Sequence, residues 1–205
     1  DVPDCDRCGR GTCRRRSPAQ RMNPSASNPG QSRLTSWSKL PQFALHQAGW
    51  WACVIWMGWW GPAVMLGFLL LHLVILRDAL RIELPLILLS TLLGIALDNS
   101  LALTESVDYT GRILVGQCPL WLVAIWAGFG ATLRHCQQIF VRSMRHAALT
   151  GFLGGPLAYW GGVKLERLQI DGLAGFAAIS VTWGVVMMSL YAAVSYLEKT
   201  RASDT

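Results

Sequence analysis

Residues 84–103 read LPLILLSTLLGIALDNSLAL. A run of this kind reaches the roughly 20 residues that a helix needs to cross a bilayer. Apolar runs also cover 43–60, 62–76, 119–140, 147–163 and 173–196. Charged residues make up only 15% of the 205 positions, against about 25% in soluble domains. A water-soluble domain of this length has too little interior to hide so much apolar surface. The expected fold is therefore all-α: a polytopic transmembrane bundle of six helices over 43–196, with cytoplasmic tails at 1–42 and 197–205. The apolar run starting at Phe43 is expected to stay as the first span, since no small-residue cleavage site follows it.

Residues 1–42 differ in kind. They hold seven Arg, one Lys, five Pro and six Ser with little apolar clustering, and such a segment cannot bury enough to order itself. Cys5, Cys8 and Cys13 lie within it. Structural metal sites use four ligands, and His46 is far off at the membrane, so the cysteines read as incidental and neither a metal nor a cofactor is expected. Met22 precedes a Ser/Pro/Asn stretch and is the expected natural start, which makes 1–21 upstream sequence.

Basic residues in short loops face the cytoplasm. With six spans, fifteen of the eighteen Lys and Arg fall on the side that carries both termini, and Arg112, Lys164 and Arg167 fall on the other. Nine against three remain without the first 21 residues. An even number of spans places the two termini together by an independent route. The net charge of +6 therefore reads as membrane orientation, and no nucleic-acid partner is expected. Trp50, Trp51, Trp59, Trp60, Trp121, Tyr159 and Trp160 sit near span ends, where interfacial rings are common. Small residues at helical spacing (Ala124, Gly128 and Thr132; Gly151, Gly155, Ala158 and Gly162; Gly172, Gly175 and Ala178) read as seams that let helices approach. Their expected use is within one chain, with a homodimer face or another membrane protein as the alternative.

Asp98 interrupts the apolar run at 84–103. Thr91, Gly94, Asp98 and Glu105 share one helix face, so the carboxylate should point into the bundle. A charge there costs about 2.5–3.5 kcal/mol on insertion scales unless it is paired. The partners expected at its depth form a polar cluster of Asp98 and Asn99 with Tyr159, Trp121 and His72. Two readings stand open: a ligand-binding or proton-handling site, and a hydrogen-bonded pin between helices. At the other membrane face, ATLRHCQQIFVRSMRH (131–146) is basic and polar. Arg134, His135, Arg142 and Arg145 there read as anchors to anionic headgroups or as a site for a lipid phosphate or carboxylate.

Signatures of chemistry are missing. The four His (46, 72, 135 and 146) show no HExxH spacing, and there is no nucleophile elbow, Walker loop or Rossmann fingerprint.

PLWLVAIWAGFGATL (119–133) and GGPLAYWGG (154–162), with His72-Leu73 and Asp98, resemble a bacterial inner-membrane family, domain of unknown function 2878, over about residues 43–195. The resemblance implies an inner-membrane protein associated with envelope lipids, without an established activity. The expected role is non-enzymatic: binding or moving a lipid-like or small amphipathic molecule, with membrane lipids as partners. A membrane-embedded enzyme acting on acyl chains, with Asp98 and His72 as acid and base, and a structural assembly partner are the alternatives.

Overall fold

The computed structural model describes residues 29–136 and 142–203, with side chains over 40–77, 79–136 and 142–200. Cys5, Cys8, Cys13 and Met22 lie outside the described residues. The chain divides into two units, Asp1–Ser36 and Trp37–Thr205. In the first, the described residues are helical.

Six α-helices are present among the described residues: α1 (Pro29–Ile55), α2 (Trp60–Ile75), α3 (Leu80–Leu103), α4 (Leu120–Thr132), α5 (Met144–Lys164) and α6 (Gly172–Ser203). Short strands interrupt them: β1 (Val107–Tyr109), β2 (Ile113–Val115) and β3 (Cys118–Pro119) between α3 and α4, and β4 (Leu168–Ile170) between α5 and α6. The protein is mostly helical, as expected, but not all-α. Three-residue strands are too short to show an alternating pattern in the sequence. Helix α1 begins at Pro29, inside the stretch expected to be unordered up to residue 42. Proline is well placed at a first helical turn.

Helices α3 and α6 are long and apolar enough to cross a membrane, whereas α2 and α4 are apolar but shorter. Helix α4 ends at Thr132, well before Phe140, where the fourth apolar run was expected to close. At about 1.5 Å per residue it is about 20 Å long. The chain turns at Leu133–Cys136 because the polar residues there fold inward, as described below.

The turn between α1 and α2 depends on Gly61. A Cβ there would stand 2.6 Å from Cys53 Cα and from the Trp56 carbonyl oxygen, an overlap with main chain. Helix α5 starts at Ser143, whose hydroxyl accepts from the His146 N–H at 3.3 Å, a cap of the usual chemistry.

Helices α3 and α5 end alike. Glu105 (φ 55°) and Glu166 (φ 57°) take left-handed backbone. In both, the next N–H reaches back across the turn: Ser106 to the Leu101 carbonyl and Arg167 to the Gly162 carbonyl, each at 2.9 Å. This closure is the Schellman motif, usually built with glycine. Each turn delivers the chain into a strand. β1 and β4 pair antiparallel with Asp108 opposite Gln169, so the ends of α3 and α5 are tied. Arg167 also donates its Nε to the Val54 carbonyl at 2.7 Å, bringing in the end of α1. β2 and β3 form a second antiparallel pair over the start of α4.

Small residues carry the helix crossings. Gly94 of α3 lies under the Trp126 ring of α4, and Gly151 and Gly155 of α5 seat Trp183 of α6. The glycine seams of α5 are thus used within one chain.

Candidate functional site

Two buried carboxylates organise the bundle, and both belong to α3. Asp98 is fully buried. Tyr109, on β1, donates its hydroxyl to Oδ1 at 2.9 Å. Tyr159, on α5, donates to the same oxygen. Trp126, on α4, donates its indole N–H to Oδ2 at 2.7 Å, and the Cys118 thiol of β3 stands 3.9 Å from that atom. Every donor is a neutral group. Burial, with Asp98 beside them, pushes the Tyr109 phenol and the Cys118 thiol above their ordinary ranges, so both keep their protons.

Of the cluster expected around Asp98, only Tyr159 arrives. Trp121 is buried but gives its indole N–H to the Thr110 carbonyl at 2.9 Å. Asn99 faces the β2–β3 connection, where its Oδ1 accepts the Gln117 N–H at 2.6 Å. His72 is with the other carboxylate. Tyr109, Trp126 and Cys118 are the partners that spacing did not reveal. Trp121 and Tyr159, expected as interfacial rings, are inside, whereas Trp51, Trp59, Trp60 and Trp160 are exposed.

Glu83 opens α3 and is 1% exposed. His72, from α2, places Nε2 3.2 Å from Oε2. His135, in the turn after α4, places its own Nε2 3.2 Å from Oε1. Arg134 bonds Oε1 through its guanidinium, and its Nε lies 3.5 Å from Glu198 of α6. Behind His72, the Gln42 amide nitrogen stands 2.6 Å from Nδ1. The four basic residues read from 131–146 thus part: Arg134 and His135 turn in to Glu83, whereas Arg142 and Arg145 remain exposed. Glu83 itself was missed. Its one signal is an acid between Ile82 and Leu84 at the mouth of an apolar run.

A cavity of about 730 Å³ lies among α1, α4, α5 and α6, bordered by His46, Trp50, Trp121, Trp126, Phe129, Tyr159 and Trp183. Trp183 stacks on Trp126 with centroids 4.7 Å apart and meets Tyr159 edge-on at 6.3 Å. The wall therefore contains two of the groups that hold Asp98. His46 is buried, and its Nε2 has no hydrogen-bond partner among the described residues. Gly154 and Ala158 of α5 also border the space.

The sequence model of a family described as a protein of unknown function (DUF2878) matches residues 39–189. The chain belongs to this family. Neither the curated proteins nor the solved structures contain a match to it.

Proposed function

We propose that this member of the DUF2878 family is a six-span protein of the bacterial inner membrane, with both termini in the cytoplasm. In this reading its aromatic cavity binds or moves a lipid-like amphipathic molecule. Support for the membrane reading begins with α3 and α6, which have the length and apolarity of spans. Large apolar side chains also face outward along several helices: Leu66, Leu70 and Val74 on α2, Leu84, Leu88 and Leu92 on α3, and Leu149, Leu153 and Leu157 on α5. A water-soluble monomer rarely exposes so extended an apolar surface. The uneven division of Lys and Arg supports the cytoplasmic placement of both termini. The exposure of Arg142 and Arg145 at the start of α5 supports a role for them at anionic headgroups.

The observation that carries the ligand reading is the cavity. At about 730 Å³ it falls within the range of small-molecule sites, which are mostly apolar with a few convergent polar groups. Aromatic walls suit an acyl or isoprenoid chain, and the unpartnered His46 Nε2 offers one polar contact to a head group. Asp98 acts beneath this wall. Its oxygens are taken by donors from four other elements, so it holds Trp126 and Tyr159 in place while their rings face the ligand. The pairing of Asp98 with His72 as acid and base has no geometry behind it, because His72 bonds Glu83.

Gly154 provides the test. It borders the cavity, and a Cβ built there meets nothing within 4 Å, so Gly154→Phe starts from open space and sets a ring at the cavity's border. The chain, purified in detergent, is titrated with a spin-labelled fatty acid while tryptophan fluorescence is followed. Saturable quenching is expected for the native chain, and its loss for Gly154→Phe at an unchanged unfolding temperature. Equal quenching in both, or none in the native chain, overturns the reading.

A further inference from the structure

The Glu83 cluster shares no wall with the aromatic cavity, and its chemistry differs. One ligand atom from each of His72, Glu83 and His135 lies within 4.8 Å of the other two. They come from three separate elements and converge with both imidazole Nε2 atoms aimed at one carboxylate, each at 3.2 Å. The two rings cross edge-on with centroids 5.6 Å apart. His72 and Glu83 are buried and His135 is half-buried. A small cavity of about 140 Å³, walled mainly by apolar side chains including Leu45, Phe68 and Leu71, reaches His72 and His135.

We propose that His72, Glu83 and His135 form a binding site for a divalent first-row transition metal ion. Two imidazoles and one carboxylate make a donor set suited to zinc, iron(II) or manganese(II), with coordination positions left for water. Metal-bound histidines fix their far ring nitrogen on a second group, and Gln42 occupies that position behind His72. Its amide presents NH2 to Nδ1 when His72 carries its proton on Nε2. Turned over, it presents the carbonyl oxygen to an Nδ1–H. The second arrangement frees the Nε2 lone pair, so a metal ion can bind with the ring proton moved from Nε2 to Nδ1 and none lost.

Arg134 sets the charge. With Glu83 and Glu198 ionised and Arg134 positive, the surroundings carry one net negative charge before the ion enters. The guanidinium holds Oε1 and leaves Oε2 to the His72 side. It restrains the carboxylate and weakens its attraction for a cation. Separation along the sequence hid this arrangement: His72, Glu83 and His135 share no local spacing.

The experiment uses the full chain without a histidine tag, carrying Cys5→Ser, Cys8→Ser and Cys13→Ser so that thiolates in the tail do not contribute. It is stripped with a chelator, and Zn2+ or Co2+ is added alone. One ion per chain is expected, and Co2+ absorption is expected to lack a thiolate charge-transfer band. His135→Gln, at a half-buried position, is expected to weaken binding at least tenfold, and Glu83→Gln more. Arg134→Gln is expected to tighten binding by roughly tenfold. Gly154→Phe is expected to leave metal affinity unchanged, so failure of the cavity reading and failure of this one are distinguishable. An affinity that is the same in the native chain, His135→Gln and Glu83→Gln overturns the proposal. So does the absence of metal uptake in a chain that unfolds at its native temperature.

Discussion

Two carboxylates on one helix, Asp98 and Glu83, meet opposite solutions to the same problem. They lie fifteen residues apart, about 22 Å along the helix axis, and each is almost completely withdrawn from water. Asp98 is met by two phenols, an indole and a thiol. Glu83 is met by two imidazoles and a guanidinium. A carboxylate whose lone pairs are filled by neutral donors from four other elements is a joint: its bonds are made once, at assembly, and nothing near it exchanges. A carboxylate among imidazoles has neighbours whose protons move and whose lone pairs can turn to another partner. Each carboxylate has a cavity beside its donors, but of a different kind: the small one reaches Glu83's imidazoles, whereas the aromatic one reaches the Trp126 and Tyr159 rings that hold Asp98. Burial alone therefore does not say what a carboxylate is for; the charge type of its donors does.

The largest effect is expected at Asp98. Asp98→Ala strands the two tyrosine hydroxyls and the Trp126 indole without an acceptor, and a loss of about 4 kcal/mol is expected in denaturant unfolding in detergent. Asp98→Asn keeps one acceptor and should lose about half of that. An unchanged midpoint for both removes the joint from the comparison. Loss of fatty-acid binding in a fully stable Asp98→Asn would instead make this residue a ligand contact.

Gly94→Ala comes next. Its Cβ would lie within the Trp126 ring, so Trp126 must move off Asp98. A loss of about 2–3 kcal/mol is expected, in the range of overpacked cores. A red shift of tryptophan emission should accompany it. Native stability together with native emission would mean that the ring has room to slide.

Glu83→Gln should cost less, about 1–2 kcal/mol, because Arg134 retains Glu198 and both imidazoles can seek water through the small cavity. A loss equal to that of Asp98→Ala would erase the distinction drawn here. The smallest effect is expected for Asn99→Ala, about 1 kcal/mol, since it releases one clasp on the β2–β3 connection. Hydrogen exchange of the Gln117 amide is the direct measurement, and exchange as slow as in the native chain would deny the clasp.

Some of this was legible in the sequence and some was not. The face of α3 bearing Gly94 and Asp98 follows from spacing on a single helix, and both residues are buried there. So is the use of Gly151 and Gly155 as a seat for a neighbouring helix. Partners drawn from other elements were not legible. Trp126 lies in a run whose tryptophans resemble interfacial anchors, and nothing local distinguishes a ring that turns inward from one that stays at the surface. Tyr109 reaches Asp98 only because β1 folds back along the end of α3, and a three-residue strand leaves no pattern to read. The left-handed turns at Glu105 and Glu166 were hidden for a related reason, since glycine, the usual signal of that conformation, is replaced by a charged residue at both. The Glu83 cluster is the extreme case: its members are spread from residue 42 to residue 198.

The matched turns that end α3 and α5 have a mechanical meaning. Stitched by β1 and β4, and joined by Arg167 to the end of α1, the helices cannot separate at that face without breaking main-chain hydrogen bonds. Any swing of α5 must pivot there, and its amplitude grows toward Met144. The bundle is built like a pair of tongs with the fulcrum at the strands, and under the ligand reading proposed above the aromatic cavity along its arms would open from the far side.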